Sequence, residues 1–183
     1  MIVIPVGTLA KMIAIWSARL LRLWNAGEQP FTIVAIDTDD RLGLDAIPPS
    51  GVEWVDDYMP TMMHLDISLP SFDDVVAATE RGELPHLSPY LPALRLCPRG
   101  GEEAAGARNL PAIGAASALF HTRTLSRALT TVLRRAFTEE GRPPLFVLVR
   151  LETGGTGTGA TPVVARILRE ISESEGIPAR LWL

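Results

Sequence analysis

Cysteine is nearly missing from this 183-residue chain: Cys97 stands alone. One thiol can form neither an internal disulfide nor a CxxC metal site, and it suits a reducing compartment, so a cytoplasmic protein is expected. A dominant charge sign is missing too. Lys and Arg number 17 against 21 Asp and Glu, for a formal charge of -4 and a pI near 5.4. No basic field is available to hold a phosphate backbone, which argues against nucleic-acid binding. No apolar run reaches membrane length, because Lys11, Arg19 and Arg22 interrupt TLAKMIAIWSARLLRLW. The apolar start, Met1 to Val6, lacks a basic leader and a small-residue cleavage site and is broken by Pro5, so it reads as a first strand and not as a signal peptide. The three histidines, His64, His86 and His121, have no metal-ligand spacing. GxSxG and GxxxxGK[ST] are both missing.

What is present alternates. Apolar residues make up 47% of the chain, enough to bury one substantial core, so residues 1–183 are read as a single domain. Leu9, Met12, Ile13, Trp16, Leu20, Leu23 and Trp24 recur at three- and four-residue steps and predict a helix with that face buried. Phe31 to Ile36 is a β-branched run ending in Asp37-Thr38-Asp39-Asp40, a buried strand entering a polar loop. From Asp39 to Arg108 prolines are frequent, and only a strand at Trp54 and a short helix capped by Ser71 suggest themselves. After Gly106 a long helix or a broken pair is expected, then a strand at Leu145 to Leu151, and a helix beginning at Pro162 that buries Val163, Val164, Ile167, Leu168 and Ile171. Ala179 to Leu183 gives a last strand. The alternation predicts an α/β, Rossmann-like, mainly parallel sheet with helices on both faces.

Between the strand ending at Leu151 and the last helix lies Thr153-Gly154-Gly155-Thr156-Gly157-Thr158-Gly159-Ala160. A glycine-rich turn that leaves a strand and enters a helix exposes backbone N–H groups at the positive end of the helix dipole, and glycines let an anion come close. Thr156 and Thr158 add hydroxyls. Gly155, Gly157 and Ala160 satisfy GxGxxA, but the dinucleotide fold places that turn after its first strand, with an acid about 20 residues on at the end of the second strand, and the strand that follows here is Ala179 to Leu183, with no acid after it. Neither condition is met here. Substituting Gly157 is expected to abolish binding and spare the fold if the glycines serve a ligand. Asp37, Asp39 and Asp40 end a strand and would place Mg2+, contact ribose or simply form a solvated turn, while Glu152 beside the glycine loop would approach a metal or a bound water.

The octapeptide resembles the GGGTGTG signature of the tubulin and FtsZ family of GTPases, with Thr153 in place of the first glycine. Three further segments resemble the family's in the same order: Met1 to Ala10 its first strand and loop, Ile36-Asp37-Thr38-Asp39 its NTD segment, and Gly106 to Gly114 its GAGGNPEIG stretch. The resemblance implies a nucleotide-binding domain that holds GTP or GDP, with Mg2+ a possible companion. The implied contacts are Gly7, Thr8, Asp37, Thr38, Gly106, Ala107, Arg108, Gly154, Gly155, Thr156, Gly157, Thr158 and Gly159. Two departures stand out: the first loop keeps one glycine, Gly7, and Arg108 and Asn109 replace two glycines. The family's central helix, acidic catalytic loop and C-terminal domain have no counterpart in these 183 residues. Hydrolysis is therefore expected to be weak or to depend on assembly, and self-association or a partner chain is expected. The alternative is a degenerate relative that keeps the fold as a scaffold or interaction module and binds no nucleotide.

Overall fold

Five short apolar runs pair into one all-parallel sheet of order β3-β2-β1-β4-β5 in the computed structural model, which describes residues 1–22, 31–38, 60–97, 107, 110–152 and 154–183. The strands are β1 (Ile2–Pro5), β2 (Thr32–Asp37), β3 (Met62–Asp66), β4 (Leu145–Val149) and β5 (Arg180–Trp182). The helices are α1 (Thr8–Arg22), α2 (Phe72–Glu80), α3 (Leu91–Arg95), α4 (Pro111–Phe120), α5 (Thr122–Glu140) and α6 (Gly155–Glu175), with a 3-10 turn at Pro85–Tyr90. This is the Rossmann-like α/β fold that the alternation predicts. In register, Val3 lies beside Ile33 of β2 and Val147 of β4, so β1 is the central strand.

Helices cover both faces of the sheet. Ile2, Ile4, Val6, Val34, Ile36, Phe146 and Leu148 pack under Leu125, Leu129 and Leu133 of α5 and Val164, Ile167 and Leu168 of α6. Val3, Ile33 and Val149 face the other way, toward Ala14 and Ala18 of α1. A satellite cluster of Leu69, Phe72, Val75, Leu87 and Leu94 joins α2, α3 and the 3-10 turn to Ile113 and Ala116 of α4. Burial on both faces explains why β1 and β2 read as unbroken apolar runs.

Several local expectations hold. Ser71 caps α2, its hydroxyl accepting from the Asp74 N–H at 3.3 Å. The helical stretch after Gly106 is a broken pair, interrupted at His121. All five apolar residues assigned to the last helix are buried. Trp54, Leu23 and Trp24 lie outside the described residues.

Two expectations are corrected. The buried face of α1 is Ala10, Lys11, Ala14, Ile15 and Ala18, whereas Leu9, Ile13 and Trp16 point outward, with Leu9 53% exposed. Small residues let the helix backbone lie close on the sheet, and that fit outweighs the larger apolar area of the opposite stripe. The last helix also starts seven residues before Pro162, at Gly155, so the glycine run is helical. Helical propensity alone would not permit this; the contacts with α4 described below do.

Candidate functional site

At the carboxyl end of the sheet, β1 is held to both neighbours before the chain turns into α1. The Val6 N–H donates to the Val149 carbonyl of β4 at 2.9 Å, and the Gly7 N–H to the Ile36 carbonyl of β2 at 2.8 Å. From here the chain runs one way to β2 and β3 and the other way to β4 and β5. Such a topological switch point leaves a crevice beyond the strand ends, which is where open parallel sheets bind ligands. Gly7 has φ +91, a conformation that side chains rarely adopt, and a Cβ on it would lie 3.1 Å from the Gly157 nitrogen. The first loop therefore rests directly on the first turn of α6.

A buried polar network ties these elements together. Asp37, 1% exposed at the end of β2, accepts the Thr38 N–H on Oδ1 at 2.8 Å. Its Oδ2 accepts the Thr8 hydroxyl at 2.9 Å and pairs with the Lys11 ammonium at 2.9 Å. Thr38 and Thr156 share a hydroxyl–hydroxyl hydrogen bond of 2.7 Å across 118 residues of sequence. Lys11 is fully buried, and sequence reasoning noted it only as a charge that interrupts an apolar span. The signal was its position three and seven residues before Ala14 and Ala18, on the face that packs against the sheet. A lysine there has to find a carboxylate, and Asp37 is that carboxylate.

The glycine run lies in close contact with the backbones around it. Built on ideal geometry, a Cβ at Gly155 would come within 2.8 Å of the Ala107 carbonyl oxygen, one at Gly157 within 3.0 Å of the Val6 oxygen, and one at Gly159 within 1.8 Å of the Pro111 oxygen. Gly114 of α4 meets Gly155 from the other side, its ideal Cβ 2.3 Å from that residue's carbonyl oxygen. Three glycines thus let α6 press its backbone against α4 and the end of β1, the approach being tightest at Gly159 and least tight at Gly157. Gly154 differs: it adopts an extended conformation at φ -101 and ψ 140, and nothing lies within 4 Å of its ideal Cβ.

The hydroxyls are also committed internally. Thr158 turns back to donate to the Glu152 carbonyl at 3.0 Å, and Thr156 holds Thr38. What stays open is the helix terminus. The Thr158 N–H bonds the Gly154 carbonyl at 3.0 Å and begins the helical ladder. Gly155, Thr156 and Gly157 precede it, and their N–H groups make no hydrogen bond among the described residues.

Of the residues implied by the resemblance, Gly7, Thr8, Asp37, Thr38, Thr156 and Gly157 meet here, with Gly154, Gly155, Thr158 and Gly159 in the same turn region of α6. Ala107 is buried behind Gly155. Gly106, Arg108, Asn109, Asp39 and Asp40 lie outside the described residues. Glu152 is exposed at the rim. His121 bonds the Ser68 carbonyl through Nε2 at 2.7 Å, and among the described residues no three His, Cys, Asp or Glu side chains group to hold a metal. A cavity of about 820 Å³ opens at the opposite, amino end of the strands, between Thr32, Thr61, Met63 and the Arg135–Glu139 ion pair of α5. It shares no residue with the switch-point site.

No protein-family model matches the chain, and no curated protein matches it. Among the described residues no helix is long and apolar enough to cross a membrane.

Proposed function

We propose that the carboxyl edge of this sheet receives the phosphates of a guanine nucleotide, GTP or GDP, and that any hydrolysis is weak or depends on assembly or on a partner chain. One observation carries the reading: three N–H groups without partners among the described residues stand at the start of a 21-residue helix, beside Gly7 at the switch point of a parallel sheet. Aligned peptide dipoles place about half a positive charge at that terminus, so an anion is favoured there without any basic side chain. The guanine part of the reading is supported by the resemblance of the four segments to tubulin and FtsZ.

A specific observation favours the second reading, a scaffold that binds no nucleotide. Close packing requires glycine at Gly155 and Gly159 and leaves little space at Gly157, and the threonine hydroxyls already have internal partners. Titration calorimetry of the purified chain with GTP, GDP, ATP and NAD separates the two. Guanine-selective heat that is lost in Gly154→Val, whose side chain would enter open space beside the free N–H groups, supports the nucleotide site. No heat and no thermal shift with any of the four makes the chain a scaffold.

A further inference from the structure

We infer that the switch-point site works without a divalent cation, because a buried lysine already stands where a metal would need to approach the only buried carboxylate among the described residues. The inference rests on the phosphate-binding reading and names the form in which the ligand binds. Among the described residues Asp37 would have to serve as the anchor, since Mg2+ in phosphate sites is commonly held by one or two carboxylates together with substrate phosphates and keeps several of its waters. Its surroundings do not fit that role. Oδ2 is occupied by the Thr8 hydroxyl and the Lys11 ammonium, and Oδ1 by the Thr38 N–H. The side chains of Lys11 and Asp37 are 0% and 1% exposed, which leaves no room for a hydrated ion. A second cation within coordination distance of Oδ2 would also be repelled by the ammonium 2.9 Å away.

Among the described residues, the remaining carboxylates near the strand ends do not replace it. Asp66 at the end of β3 is engaged by the backbone N–H and hydroxyl of Ser68 at 2.8 and 3.0 Å. Glu152 is exposed at the end of β4, with no His, Cys, Asp or Glu pair among the described residues to complete a metal group. Lys11 is thus the internal counter-cation of Asp37, and among the described residues a phosphate meets the N–H groups of Gly155, Thr156 and Gly157. The ligand is the uncomplexed anion, because a phosphate that shares its charge with Mg2+ offers less to a helix dipole.

GDP is the probe, titrated calorimetrically into the full chain in excess Mg2+ and again in EDTA. Affinity in EDTA is expected to equal or exceed that in Mg2+, and a fall of about tenfold or more on chelation overturns the inference. No heat in either buffer refutes the phosphate reading itself; the metal question is then decided by Mg2+ alone, whose raising of the parent chain's thermal midpoint overturns the inference and whose failure to do so supports it. Lys11→Ala tests the stand-in directly: Mg2+ should raise the thermal midpoint of this variant and not that of the parent. Equal responses of the two folded proteins overturn the role given to Lys11, and if the variant does not fold the parent's two titrations decide.

Discussion

Gly159→Ala should destabilise the fold, although in an ordinary helix the same change would help. Alanine is favoured over glycine inside a helix by about 0.8–1 kcal/mol, and Gly159 is five residues into α6. Its ideal Cβ, however, would stand 1.8 Å from the Pro111 carbonyl oxygen and 2.7 Å from the Ala115 nitrogen, both backbone atoms that no rotamer change can move. Reaching ordinary contact, which begins at 3.4 Å, requires α4 and α6 to part locally by about 1.6 Å. Overpacking of a close-packed core typically costs about 1–3 kcal/mol, and rigid backbone on both sides places this site at the upper end. Subtracting the propensity gain leaves a net loss of about 2 kcal/mol, or a fall in Tm of roughly 4–8 °C for a chain of this size. Gly154→Ala is the matched control. Its extended backbone and open surroundings let alanine enter without strain, so reduced freedom of the unfolded chain should stabilise by about 0.4–1 kcal/mol. Urea and thermal unfolding of both variants against the parent make the comparison. A Gly159→Ala protein as stable as the parent would refute the backbone contact between α4 and α6, and with it the packing account of the glycine run.

Removing either partner of the Lys11–Asp37 pair, as Lys11→Met or Asp37→Leu, should cost about 3–5 kcal/mol, and the double variant should recover much of it; additive losses in a urea-unfolding cycle would show that the two do not act as a pair. Thr38→Val and Thr156→Val should each cost about 1–3 kcal/mol by stranding the other hydroxyl, while the double change costs clearly less than their sum; chemical denaturation of the three variants checks it. Trp16→Gln, on the outward stripe of α1, should leave stability within about 0.5 kcal/mol of the parent, whereas a loss of core size would mean that the tryptophan is packed after all. The Glu83 carboxyl is held below its ordinary value chiefly by the hydrogen bond from Arg81. Its contribution is therefore complete above the ordinary value and is lost as pH falls through the lowered one. Both side chains are exposed, so Arg81→Gln should produce only a small loss at neutral pH, and that loss should vanish in acid.

How far each feature could be read from the sequence depended on whether its cause was local. β2 and the last helix were legible because burial on both faces of a sheet, or on one face of a helix, writes a pattern into consecutive residues, Phe31 to Ile36 and Val163 to Ile171, whereas β3 (Met62–Asp66), half-exposed in the proline-rich stretch, carries no such pattern and was not read. Helix α1 was misread on its buried face because side-chain size was taken as the guide. Ala14 and Ala18 are buried on account of how closely α1 approaches Val3 and Ile33, a distance that no residue of α1 records by itself. The glycine run shows the same limit more sharply. Free N–H groups for an anion and close contact between two backbones both call for glycine, and the partners that decide between them, Pro111 and Ala115, lie more than forty residues earlier in the chain. Once those partners are placed the roles divide by position: Gly155, Gly157 and Gly159 hold α6 where it is, and Gly154 alone keeps the approach to its terminus open. The two uses are compatible, since only a helix pressed this tightly against its neighbours holds its first N–H groups fixed at the switch point. A nucleotide site and a scaffold would thus share three of the four glycines, and Gly154 is the one whose substitution tells them apart.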